Sequence, residues 1–240
     1  MMKNARGQQI EAPLPSDRVK PSRPFAVTGI DFAGPLCIKV GSEMRNAYIS
    51  LFTCATTKGL HLELCTDMST DKFLMDLQRF VEDVVYPTLS IQTTQKHSTL
   101  RIVFSEFWKQ LTTFKTHQFL AHNGIIRKII APRAAWWGGW WGRVIGTVKR
   151  CLGKVLGQSS LTEKQLNTTL ISIEAAVNSR PITQGEDSVA LTPTQFLIGE
   201  GLVTIPTGTE PTARQNLTKE LRLKQKLSDD SGNFGQKIIC

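Results

Sequence analysis

Between Phe25 and Cys65 the apolar residues come in short runs; from Ser69 onward they recur three and four residues apart, interrupted by two more short runs. The first run, F-A-V-T-G-I-D-F-A-G-P from Phe25 to Pro35, predicts a strand ended by its proline. Ala47–Thr56 and Leu60–Cys65 predict two more, separated by the turn-like Thr56-Thr57-Lys58-Gly59. Three strands so connected predict an antiparallel meander. A helix follows, capped by Ser69 or Thr70, with Asp71 at its positive end. Phe73, Leu74, Leu77, Phe80, Val81 and Val84 share one face of it, and Pro87 closes it.

Thr88–Thr93 predicts a fourth strand, and Thr93–Thr99 is polar and uninformative. Phe104, Phe107, Trp108, Leu111 and Phe114 predict a second helix ending near Asn123-Gly124, and Ile125–Ile130 a short buried strand. Val144, Ile145, Val148, Cys151, Leu152, Val155 and Leu156 then form an amphipathic stripe up to Gly157. Gly142, Gly146 and Gly153 weaken that helix by roughly 1 kcal/mol each relative to alanine. The last clear helix opens at Thr162-x-x-Gln165, a capping box, and runs through Leu166, Leu170, Ile173 and Val177 to N178-S-R-P. A mixed sheet with helices on its faces buries these stripes.

The ends behave differently. Residues 1–24 hold four prolines among mixed charges and read as an extended linker. Beyond about residue 200 the chain is polar and rich in glycine and threonine. No apolar run reaches membrane-spanning length, and the first residues lack a signal-peptide core. No membrane partner is therefore expected; the chain reads as nuclear or cytoplasmic, not secreted.

Charge narrows the partner class. With 29 Lys and Arg against 20 Asp and Glu the net charge is +9, so nucleic acid leads. The five cysteines are scattered with no C-x-x-C pair, so neither a zinc knuckle nor a disulfide framework is indicated. Asp31 stands alone as a carboxylate inside an apolar strand, a place that disfavours it; a turn or capping role is the plainer explanation. Four of the five tryptophans fall in Trp136-Trp137-Gly138-Gly139-Trp140-Trp141. That knot is either packing between strand and helix or a platform for stacked bases.

The ordered series T28-G-I-D-F-A-G-P-L, A47-Y-I-S-L-F-T-C-A-T-T-K-G-L-H-L-E-L, W136-W-G-G-W-W-G-R, N178-S-R-P-I-T and L191-T-P-T-Q-F-L-I-G resembles the integrase region of BEL/Pao-type retrotransposon polyproteins. The likeness runs from about Pro15 to Leu202. It implies a ribonuclease H-like mixed five-stranded sheet flanked by helices, divided as linker 1–23, catalytic-core-like domain 24–202 and truncated polar extension 203–240. It implies DNA as partner, a possible homo-oligomer, and 3′-end processing and strand transfer with Mg²⁺ or Mn²⁺. The family's zinc module and most of its basic C-terminal region have no counterpart, so the chain reads as a piece of a polyprotein.

Such chemistry needs two metals about 3.5–4 Å apart that clamp the attacking and leaving oxygens, held by an Asp-Asp-Glu triad of hard oxygen ligands. Carried onto this sequence, the first Asp is Asp31. The second position falls on Gln95, within a residue or two, in a stretch with no acid between Asp83 and Glu106. The third falls on Gly142, fixed by the flanking tryptophans and Arg143. Glu63 and Glu106 are the candidates for replacing a lost ligand, and ion pairing or solvent exposure explains both more simply. The expectation is an impaired catalyst that keeps Asp31 and binds phosphates through Arg143, Lys149, Arg150 and Lys154. The alternatives are an active transferase with a rearranged ligand set and a domesticated interaction protein that needs neither metal nor DNA.

Overall fold

The computed structural model describes residues 19–84, 90–93, 114–129, 139–156, 161–183 and 190–199. Strands β1 (Val27–Val40), β2 (Glu43–Cys54) and β3 (Leu60–Cys65) form the predicted antiparallel meander. Helix α1 (Thr70–Val84) leads to β4 (Ser90–Thr93), parallel to β1. Helix α2 (Phe114–His122) leads to β5 (Ile126–Ile129), parallel to β4. Helix α3 (Gly139–Leu156), the two-residue β6 (Leu161–Thr162), α4 (Glu163–Asn178) and the short α5 (Pro193–Ile198) follow. The sheet order is β3-β2-β1-β4-β5, and β6, a strand outside the expected set, pairs with β1 at Ile38 and Lys39.

β1 does not stop at Pro35. It continues to Val40 because the pairing with β2 slips by one residue between Ala33 and Leu36, around a cis Gly34–Pro35 bond. Such a bulge seats a proline inside a strand without breaking the ladder on either side. Gly34 sits there at φ 129°, and a Cβ on it would lie 3.0 Å from the Ala47 carbonyl oxygen. Only glycine fits that close approach.

The two sheet faces have separate cores. On one, Ile30, Phe32 and Phe52 meet Phe73, Leu77 and Phe80 of α1 and Leu120 of α2. On the other, Ala33, Ile49, Leu51 and Leu62 meet Trp141, Val144, Ile145, Val148 and Leu152 of α3 and Leu166, Leu170, Ile173 and Val177 of α4. Trp141 therefore packs as core. The capping roles also hold. The Ser69 hydroxyl accepts the Lys72 amide, and Thr162 and Gln165 form their reciprocal box. The expected start of the second helix near Phe104 lies outside the described residues.

Candidate nucleic-acid interface

Strand alternation places Asp31 on the α3 side of the sheet. It pairs with Leu51 and is two residues from Ala33, and both of those belong to the core beneath α3 and α4. Asp31 is half-buried, and its Oδ1 accepts the Phe32 amide at 2.8 Å. Gly142 stands in the first turn of α3, the helix packed over that same face. It is exposed, and nothing lies within 4 Å of where its Cβ would be. Its lack of a side chain is therefore not imposed by crowding. Gln95 and Glu106 lie outside the described residues.

Glu63 is not placed to stand in. It pairs across the ladder with Ser50 and faces α1, on the side of the sheet opposite to Asp31. Arg79 donates to its Oε2 through Nε at 3.1 Å and Nη2 at 2.9 Å, and His61 Nε2 lies 3.2 Å from its Oε1. Burial alone would push the Glu63 carboxyl up. The hydrogen bonds from His61 and Arg79 outweigh it and hold the group below its ordinary range. Next to it Asp76, fully buried, contacts Cys65, Arg79 and Lys72, and burial pushes its carboxyl up despite those cations. Among the described residues no three His, Cys, Asp or Glu side chains are grouped to hold a metal. Of the candidates that are described, Asp31 offers one carboxylate, Gly142 has no side chain to offer, and Glu63 is held by Arg79 and His61 on the other side of the sheet.

Helix α3 divides into two unlike faces. Trp141, Val144, Ile145, Val148, Cys151 and Leu152 are buried, while Arg143, Lys149, Arg150 and Lys154 are exposed. The 18 residues contain no Asp or Glu, so no acid of the helix itself offsets these cations. Arg150 lies back along the helix, with long contacts to the Gly146 carbonyl at 3.4 Å and the Thr147 hydroxyl at 3.3 Å. Gly146 and Gly153, like Gly142, have open space where a Cβ would stand. The exposed Arg143, Lys149 and Lys154 thus share a helix face with these glycines, and Arg150 lies along it.

The N178-S-R-P segment does structural work that its residue types hardly advertise. Asn178, at the end of α4, hydrogen-bonds the outer edge of β3 at Leu60. Arg180 donates to the Val177 carbonyl at 2.6 Å and the Lys58 carbonyl at 2.9 Å, and burial lowers its pKa to about 10. A side-chain amide and a guanidinium close to a helix C-terminus were the only signals available in the sequence.

No family model matches the chain, and no curated protein matches it. Solved structures do. A chain of the simian T-cell lymphotropic virus intasome in complex with PP2A regulatory subunit B56 gamma aligns over 87% of this chain at 11% identity, with a TM-score of 0.51. This chain spans 66% of that one's length. The HTLV-2 integrase catalytic core domain in complex with magnesium, in a trimeric form, aligns over 74% of this chain and 99% of its own at 12% identity, with a TM-score of 0.50. At such identities the likeness is one of fold. The chain has the mixed α/β, ribonuclease H-like fold of an integrase catalytic core.

Proposed function

We propose that the chain is the core, over residues 24–202, of an integrase derived from a BEL/Pao-type retrotransposon. Its strand-transfer site is degenerate, and it keeps a phosphate-directed grip on DNA through α3. The observation that carries the proposal is the exposed α3 face, which holds Arg143, Lys149, Arg150 and Lys154 with no acid in the helix. Cations so distributed bind phosphates without reading bases, and counterion release makes that affinity fall with salt. The fold likeness supports the family role. The magnesium named for the HTLV-2 core supports Mg²⁺ as the ion an intact triad would hold. Here Asp31 would be the remaining ligand, with Gln95 and Gly142 in the other two places. Self-association, suggested by that core's trimeric form, belongs to the same proposal.

The test pairs binding with chemistry. Fluorescence anisotropy should show duplexes of unrelated sequence binding alike and weakening together as salt rises. In a strand-transfer assay with Mg²⁺ the unmodified chain should be inactive. A Gln95→Asp, Gly142→Glu double variant should gain metal binding. Robust activity in the unmodified chain would mean a rearranged ligand set. Absent or salt-insensitive DNA binding would make the chain an interaction protein instead.

A further inference from the structure

Six side chains of alternating charge run across the molecule from α1 to α4: Lys72, Asp76, Arg79, Glu63, His61 and Glu174. Successive contacts are 3.7, 2.5, 2.9, 3.2 and 3.4 Å. The first three residues stand on α1, the next two on β3 and the last on α4. His61 is the joint between the two helices. Its Nε2 faces Glu63 and its Nδ1 faces Glu174. An ionised carboxylate can only accept, so both contacts are hydrogen bonds only when both ring nitrogens carry protons. Phe80 of α1 and Phe52 of β2, stacked on each other, lie on one side of the ring, with centroids 5.5 and 6.0 Å away.

Glu174 has a second task. Its other oxygen accepts the Leu62 amide at 2.8 Å. Leu62 belongs to β3, the last strand of the sheet on this side. One carboxylate therefore ties the imidazolium to the sheet edge. Two residues earlier on β3, Leu60 is held by Asn178, a group that does not titrate.

We propose that His61 is a proton-operated latch on this edge. Doubly protonated, it keeps Glu174 on the Leu62 amide; on losing a proton it releases that contact while the Asn178–Leu60 pair stays closed. A neutral ring has one donor for two carboxylates, so one contact becomes a meeting of lone pairs. The groups facing the ring are Glu63 from β3, Glu174 from α4 and the two phenylalanine rings, with Arg79 acting through Glu63. Arg79 stays charged throughout the relevant pH range, so its influence is constant. Burial disfavours the charged ring, but Glu174 and Glu63 outweigh it and raise its pKa to about 9. The latch is closed at neutral pH and opens in alkali.

Heteronuclear NMR on the full chain from about pH 5.5 to about pH 10 follows the His61 ring nitrogens and the Leu60 and Leu62 amides. His61 should titrate near pH 9, well above the ordinary histidine value of about 6.5. The Leu62 amide should lose its exchange protection with the His61 midpoint, while Leu60 keeps its own. In Glu174→Gln, which retains an acceptor for Leu62, the His61 midpoint should fall by about one pH unit or more, and Leu62 should lose its pH response. Titration of His61 at the ordinary histidine value of about 6.5 would overturn the proposal, as would simultaneous opening of Leu60 and Leu62. The first comparison uses the unmodified chain, so a variant that fails to fold leaves the test intact.

Discussion

Asn178 holds Leu60 from both sides of its amide: Oδ1 accepts the Leu60 N–H at 2.8 Å, and Nδ2 donates to the Leu60 carbonyl at 2.7 Å. The two residues are 118 apart in sequence, and both are buried. An amide side chain presents an N–H donor and a carbonyl acceptor side by side, as a peptide group does, so here it takes the place of a neighbouring strand. The edge of β3 is thereby closed at this point by a helix end, one way natural sheets protect an outer strand.

Removing that amide leaves two buried backbone groups without partners. Asn178→Ala should cost about 2–4 kcal/mol, since each orphaned group costs about 1–3 kcal/mol. Urea denaturation should show a lower midpoint with little change in slope. Asn178→Asp should also destabilise, because it keeps the acceptor and sets a carboxylate against the Leu60 carbonyl. A loss below about 0.5 kcal/mol for the alanine variant, the range of ordinary surface changes, would show that the pair is dispensable.

Much of this fold is legible in the sequence because its elements have clean periods. The α1 stripe from Phe73 to Phe80, the α4 stripe from Leu166 to Val177 and the Thr162–Gln165 box can each be read within one turn or two. β1 misled at Pro35 for a local reason. The bulge at Gly34–Pro35 reverses the alternation, so Ala33 and Ile38, of opposite parity, face the same core. Glu63 could be weighed as a replacement ligand only while its sheet face was unknown; its pairing with Ser50 assigns it to the α1 side. The contacts of Asn178 with Leu60 and of His61 with Glu174 join positions more than a hundred residues apart. No window along the chain contains them.

Gly142 gives a second prediction. It lies in the first turn of a helix, exposed, with open space where a side chain would stand. Gly142→Glu should therefore fold. Replacing a helical glycine adds up to about 1 kcal/mol, and a carboxylate near the helix N-terminus adds about 0.3–1 kcal/mol more. Thermal or urea unfolding of this single variant should show equal or higher stability. A drop of more than about 1 kcal/mol would mean that the position is crowded after all.

The cations of α3 predict a salt dependence. Each phosphate contact contributes about 0.9 to the slope of log affinity against log salt. Changing Arg143, Lys149, Arg150 and Lys154 to glutamine together should flatten that slope by about 3 to 4 and weaken binding to every duplex alike. The single changes should act in similar, smaller steps. An unaltered slope in the fourfold variant would move the DNA-binding surface off α3.

Glu63 predicts a pH dependence of definite sign. Its pKa is lowered in the folded protein, from 4.5, by His61 and Arg79 against the push of burial. The folded state thus binds its proton more weakly than the unfolded chain. Its contribution is fully present above the unfolded pKa and is lost as pH falls through the folded one. Asp76 works the other way, because burial raises its pKa and protonation favours the folded state. The acid limb of the unmodified protein alone would mix the two, so the informative quantity is its difference from Glu63→Gln. At neutral pH the variant should be less stable by about 1–3 kcal/mol, the range for a hydrogen bond to a charged group. The gap should stay constant down to about pH 5 and then close as the solution becomes more acid. Urea midpoints at neutral pH and near pH 3 are enough to see it. A gap of the same size at both would show that Glu63 acts through shape alone and not through its charge.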